Sequence, residues 1–181
     1  MSRWLIRPER NTDVDAIDAL IVDAFLRAPH TSHTEQHIVR ALRHAKALTV
    51  SLVGEHADAR SAASEIIGHV AASPVSVSAA TVSPGHVDGW FGLGPLAVRP
   101  DWQRRGLGAE LTYECLAALR ALGARGCVVL GDPTYYGRFG FRAEPRLVLP
   151  GVPPEYFQTL AFDGSVPTST VSYHDAFGAA G

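Results

Sequence analysis

The run Gly94-Pro-Leu-Ala-Val-Arg-Pro-Asp-Trp-Gln-Arg-Arg-Gly-Leu-Gly108 constrains the fold of this chain more than any other segment. Leu93–Val98 is apolar and reads as a strand, the Arg-rich stretch after it as a turn, and Gly106 as the opening of a helix. Leu107, Leu111, Cys115, Leu119 and Leu122 then recur along one face over 106–122, and Gly123 follows as the C-terminal cap. A helix N-terminus exposes amides without intrahelical partners and carries partial positive charge. Glycines let a phosphate come close to those amides, and Arg104 and Arg105 add charge and forked donors. The plainer reading is a tight turn with no ligand, but the strand before it and the amphipathic helix after it favour a pyrophosphate cradle.

The spacing narrows the diphosphate. A Rossmann fingerprint needs G-x-G-x-x-G early in a βαβ unit and an acidic residue about twenty positions on. Here the pattern is Gln103-x-x-Gly106-x-Gly108, halfway along the chain, and no acid falls within Gly126–Leu130. No Gly-Lys-Ser/Thr follows the glycines, which excludes a Walker loop.

The rest of the composition describes an ordinary soluble domain. The 181 residues suit one folding unit, and net charge −2 gives no general attraction to nucleic acid or anionic membrane. No stretch reads as a signal peptide or membrane span, so a cytoplasmic protein is expected. Cys115 and Cys127 lie in apolar segments without metal-ligand spacing and read as buried thiols. His30, His33 and His37 lack a carboxylate framework and read as a solvated turn, so no metal is expected.

Along the chain, Leu5–Arg7 reads as a strand stopped by Pro8. A helix with Val14, Ile17, Leu20, Ile21 and Phe25 on one side follows Thr12-x-x-Asp15, which resembles a capping box, and Pro29 ends it. Ser32-His-Thr-Glu35 is a second capping box, opening a helix with Ile38, Val39 and Leu42. Leu48–Val53 reads as a strand, 57–61 as a turn, and Ile66–Val77 as one strand bent near Ser73-Pro74. Residues 78–88 form a loop, Gly89–Val98 a strand, and Cys127–Leu130 a short strand buried on both faces. A brief helix follows Pro133 as far as Phe139. Arg146–Leu149 is strand-like, and a proline-rich tail ends with a strand near Thr170–Tyr173. The order implies one mixed α/β sheet with a parallel pair around the crossover helix.

The pattern Gln/Arg-x-x-Gly-x-Gly/Ala after a Leu-x-Val-x-Pro strand resembles the acetyl-coenzyme A site of the GNAT N-acetyltransferases. Gly131-Asp-Pro-Thr-Tyr-Tyr-Gly-Arg-Phe-Gly-Phe141 is similar to the Phe-Tyr-x-x-x-Gly-Phe segment of that superfamily, in the form of its YhbS-like bacterial branch. Ile67-Gly-His-Val-Ala-Ala-Ser-Pro-Val75 also suits that branch. The likeness spans about residues 3–149 of a single domain, 1–181, with 150–181 as a C-terminal extension.

The resemblance implies a GNAT-like fold whose central parallel strands splay, and an acetyl-coenzyme A-dependent N-acetyltransferase. Acetyl would pass directly to a small-molecule or peptide amine in a ternary complex. Leu96, Ala97 and Val98 would hold the pantetheine arm and polarise the thioester carbonyl. Gln103, Arg104, Arg105, Gly106, Leu107, Gly108 and Ala109 would hold the pyrophosphate. Tyr136 aligns with the tyrosine that protonates the departing thiolate, with Tyr135 behind it. The family often contacts the cofactor through an Asn after the fifth strand, where this chain has Gly131-Asp132. For the general base, Glu35 and His69 are candidates, with His86, Asp88 and a water chain behind them; Glu35 reads equally well as the partner of Ser32. The superfamily also allows a homodimer. The competing reading is a non-catalytic acyl-coenzyme A sensor or partner-binding module on the same fold; a third is transfer of a longer acyl chain.

Overall fold

The computed structural model describes residues 4–26, 34–57, 64–79 and 88–178. Strand β1 (Leu5–Pro8) leads through a 3-10 turn to helix α1 (Val14–Phe25), and α2 (Glu35–His44) follows. Then come β2 (Val50–Ala57), β3 (Ser64–Pro74), β4 (Ser76–Ala79) and β5 (Trp90–Val98). Helix α3 (Leu107–Ala121) crosses to β6 (Gly126–Leu130), and the short α4 (Pro133–Tyr136) follows. β7 (Leu147–Val148), β8 (Phe157–Ala161) and β9 (Ser169–Ser172) complete the strands.

The main sheet has the order β1-β2-β3-β5-β6-β8. Its pairs are antiparallel except β5–β6, the parallel pair expected around the crossover helix. Helix α3 covers one face: Leu107, Leu111, Cys115, Leu116 and Leu119 pack on Ile67, Val70, Leu93, Cys127 and Val129. Each such leucine contributes roughly 1.5–3 kcal/mol by leaving water. The opposite face is divided. Over one half lie α1 and α2, whose Ile17, Leu20, Ile21 and Val39 meet Val53 and Ala97. Over the other half lies the small sheet β4-β9-β7, whose Val77, Val171 and Leu147 meet Trp90, Val128 and Phe157.

Several sequence expectations change. The bent strand at 66–77 is two strands in two sheets: after Pro74 the chain leaves β3, and β4 pairs with β9. The Thr12-x-x-Asp15 box does not form. Asp13 takes that place, accepting from the Arg10 amide at 2.7 Å while Arg7 pairs with it at 2.7 Å. The proline-rich tail supplies a strand the sequence reading did not mark, because β8 joins the main sheet beside β6. Pro29, Ser32, His30, His33, His86 and most of the 57–61 and 78–88 loops lie outside the described residues.

Two features of the sheet set up the site. Gly54 and Gly68, cross-strand partners on β2 and β3, leave the space in which α3 begins. A Cβ on Gly54 would lie 2.8 Å from Leu107, and one on Gly68 would lie 2.8 Å from both Leu107 and Leu111. Secondly, β5 and β6 pair only from Trp90↔Gly126 to Leu93↔Val129. Beyond Leu93 the register with β3 slips between Val70 and Ala72, so Gly94 and Pro95 bulge opposite Ala71. A bulge bends its strand, and Pro95 has no amide proton for a ladder. On the other side, β6 runs into Gly131, whose amide bonds to Tyr156 O at 2.9 Å instead of to β5. The sheet therefore forks, as the splayed central strands of the sequence reading require.

Candidate active site

The mouth of the fork carries the Gly/Arg turn. Pro100–Trp102 forms a 3-10 turn, Arg104 has φ +59°, and Gly106 has φ +99°. That second value is strained for any L side chain, and a Cβ there would point into open space, so a ligand can approach the backbone closely. The amides of Ala109 and Glu110 both bond to Gly106 O, at 3.0 and 3.1 Å. Those of Leu107 and Gly108 have no carbonyl one turn back and are left to meet an anion. Arg105 stacks 5.0 Å over the Trp102 ring, while Arg99 is engaged by Asp101 and Glu65, so Arg104 and Arg105 are the cations of the turn itself.

The β5 side of the fork offers a backbone edge. Arg99 N bonds back to Ile67 O on β3 at 3.0 Å. Strand alternation then directs the backbone of Ala97 toward β3 and that of Leu96 and Val98 into the gap. Gln103 Nε2 donates to Val98 O at 3.0 Å, which ties the turn to the same edge. The Leu96 and Val98 side chains lean toward α3, and Ala97 is buried against α1 and α2.

Across the gap, Asp132 caps α4 by accepting from Thr134 N at 2.8 Å, which gives the residue a local structural role. The helix carries two tyrosines with different surroundings. Tyr135 reaches the first turn of α3, where a Cβ on Gly108 would lie 3.0 Å from its hydroxyl. Tyr136 is set edge-on against Tyr135 and Phe141, with ring centroids 4.9 and 5.9 Å away. Its ring fills the space over Gly131, where a Cβ would lie 2.5 Å from Cε2. Burial, then the nearby Tyr135, Cys127 and Cys115, push the Tyr136 phenol well above its ordinary range, so it stays protonated. Burial likewise raises Tyr135, which Thr112 partly offsets.

His69 is fully buried on β3, beside Ala97. Its Nε2 lies 2.9 Å from Ser51 Oγ, which donates to Glu9 at 2.5 Å, and Arg43 holds Glu9 through two bonds of 2.9 and 3.0 Å. With the Ser51 proton committed to the carboxylate, Nε2 carries the imidazole proton and Nδ1 is a bare lone pair with no protein partner. Burial drives the His69 pKa down to about 4; Glu9 pulls it up and Arg43 down, and the net result is a neutral ring. Burial alone would raise Glu9, but its bonds from Arg43 and Ser51 outweigh that and hold it below its usual value.

Glu35 stands apart from this group, in a hollow of about 230 Å³ between α1 and α2 with Val22, Phe25, Leu26 and Gln36. Asp88 is exposed just before β5. A separate hollow of about 680 Å³ beside α1 holds Arg7 and Arg99, whose charges are met by Asp13, Glu55 and Glu65. Cys115 and Cys127 are buried, and burial pushes the Cys115 thiol up to about 12. Among the described residues, no three His, Cys, Asp or Glu side chains gather as a metal would need, and no helix is long and apolar enough to cross a membrane. Ser73, within the Ile67–Val75 segment, is the cross-strand partner of Gly92, and the Tyr173 ring lies against the same glycine, next to the residue where the fork divides; the sequence reading gave neither a role.

Comparison with known proteins agrees with this geometry. Residues 51–143 match the acetyltransferase (GNAT) domain family. The chain is 36% identical over 167 residues to the "uncharacterized N-acetyltransferase YhbS" of Escherichia coli, covering 89% of this chain and 93% of that protein. Among solved structures, a GNAT family acetyltransferase from Brucella melitensis in complex with acetyl-CoA superposes with a TM-score of 0.80 at 43% identity, over 96% of this chain and 97% of that one. The Escherichia coli YhbS structure in complex with CoA also superposes with a TM-score of 0.80, at 34% identity over 98% of this chain and 93% of its own.

Proposed function

The chain belongs to the GNAT acetyltransferase family, and from that premise we propose that it moves the acetyl group of acetyl-coenzyme A directly to a primary amine of a small molecule or peptide within a ternary complex. One observation carries the reading: the β5–β6 ladder stops at Leu93↔Val129, and the gap beyond it opens beside the free amides of α3. A diphosphate at Gln103–Ala109 and a peptide-like arm along Leu96–Val98 fit that arrangement together.

Each group then has a role. The amides of Arg104–Gly108 offset the phosphate charge, with Arg104 and Arg105 adding theirs. The Leu96 amide, turned into the gap, stabilises the charge that develops on the thioester oxygen as the amine attacks; such donors are worth about 3–4 kcal/mol where one has been removed. Tyr136 O–H gives its proton to the departing thiolate. Burial keeps the phenol protonated at the start and weakens it as an acid, so the transfer is driven by the charge that gathers on the sulfur as the bond breaks. The amine must lose a proton, and we assign its route to His69. Nδ1, buried and unpaired, takes the proton through water, Nε2 passes one on through Ser51 to Glu9, and the partly exposed Glu9 releases it to solvent. Glu35, in its separate hollow, is assigned to the acceptor's approach.

The test is release of free thiol from acetyl-coenzyme A across a panel of primary amines. Turnover with at least one amine supports the reading. Binding of coenzyme A with no transfer to any amine would favour the sensor alternative.

A further inference from the structure

The face of the sheet opposite α3 is roofed in its middle by the chain's last described segment. After β9, Tyr173 lies over β5, and Ala176 and Phe177 continue to α2, where they pack against Ile38 and Leu42. The segment therefore bridges the small sheet and the α1–α2 pair. The Tyr173 ring is held by Phe177, with centroids 4.8 Å apart, and by Gly92, where a Cβ would lie 2.5 Å from Cε1. Gly92 is the last residue of β5 before Leu93, where the fork divides. Its cross-strand partner is Ser73, and partners share a face, so Ser73 Oγ and the Tyr173 ring lie on the same side of the sheet.

Both hydroxyls are buried, and neither has a hydrogen-bond partner in the protein. An unmet hydroxyl in an interior is destabilising, and native structures complete such groups with water or a ligand. Burial raises the Tyr173 phenol well above its ordinary range, and Cys127 and Tyr136 act in the same direction, so the hydroxyl keeps its proton. Two unmet oxygens thus sit beside the closed end of the fork, on the face away from the phosphate cradle.

We propose that Tyr173 Oη and Ser73 Oγ form the subsite for the acceptor's nitrogen. This rests on the transfer reading above. A neutral primary amine has two N–H donors and one lone pair. The acceptor arrives as an ammonium with three N–H donors: two meet the hydroxyl oxygens, and loss of the third proton bares the lone pair in the remaining direction, toward the thioester carbonyl in the fork. A secondary amine has one N–H and leaves a hydroxyl unmet, so the subsite selects primary amines. Tyr173 and Ser73 are positioning residues, and the C-terminal segment becomes part of the acceptor site.

The experiment compares a primary alkylamine with its N-methyl analogue, using the full chain and the variants Tyr173→Phe and Ser73→Ala. The wild type is expected to prefer the primary amine at least tenfold in kcat/KM. Tyr173→Phe keeps the ring against Gly92 and Phe177, so the melting temperature and the calorimetric Kd for acetyl-coenzyme A are expected to hold. Its kcat/KM for the primary amine falls tenfold or more, chiefly through KM, and the preference shrinks; Ser73→Ala acts in the same direction. An unchanged primary-to-secondary ratio in both variants overturns the proposal. If the wild type acetylates no amine, the transfer reading fails, and crystals with acetyl-coenzyme A decide the subsite. Ordered water bonded to both Tyr173 Oη and Ser73 Oγ sustains it as a polar site, and two hydroxyls without such a bridge overturn it.

Discussion

Gly106→Ala separates the two things this glycine does. At φ +99° an L residue is strained, and the left-handed region costs about 1–2 kcal/mol for a side chain with a Cβ. The new methyl meets no protein atom within 4 Å, so nothing else should weaken the fold. For a chain of this size that cost lowers Tm by about 2–8 °C. Acetyl-coenzyme A should suffer more, because the methyl occupies the space from which phosphate oxygens would reach the Leu107 and Gly108 amides. Losing one charge-assisted hydrogen bond costs roughly 1.5–3 kcal/mol, or about a 10- to 150-fold rise in Kd. Gly123→Ala is the matched control. That glycine also has a positive φ, +78°, and open space around its Cβ, but it stands at the far end of the same helix. Titration calorimetry and thermal melts on both variants should give similar losses of Tm, with a weakened Kd for Gly106→Ala alone. Equal affinities in the two variants would refute the assignment of the turn to the pyrophosphate.

Tyr136→Phe is expected to keep acetyl-coenzyme A affinity while kcat falls about 100-fold or more, the usual scale of a lost general acid; steady-state kinetics with an accepted amine checks this. Gly131→Ala should reduce kcat as well, because its methyl would lie 2.5 Å from the Tyr136 ring and displace it; a Tyr136 ring unmoved in a crystal of the variant would contradict this. His69 gives a pH signature of stability. Its pKa falls from 6.5 unfolded to about 4 folded, so the unfolded chain binds the extra proton between those values, and stability drops as pH falls through that window. Urea unfolding at pH 7 and pH 5 should show a His69 contribution of about 2 kcal/mol, absent in His69→Gln.

The strand–turn–helix at 93–122 was legible because its physics is local. Left-handed φ at Gly106, apolar residues at helical spacing and Gly123 at the helix end need no distant partner to be read. The short helix that carries Tyr136 was legible after Pro133, and the parallel pairing of β5 with β6 through the crossover helix between them. The strand at 66–77 was misjudged because an alternating pattern cannot report that its ends enter different sheets. Only the partners of β4, which come from β9, settle that. β8 escaped notice because its place beside β6 depends on a strand nearly thirty residues earlier in the chain.

By itself the sequence determined the Gly/Arg turn, the helix that follows it and the family pattern, since each is written in neighbours a few residues apart. Tertiary structure decided where the β5–β6 ladder ends, which imidazole nitrogen of His69 is unpaired, and that Ser73 and the Tyr173 ring both neighbour Gly92. Those features depend on burial and on contacts between residues far apart in the chain, and no local propensity records whether a buried hydroxyl finds a partner.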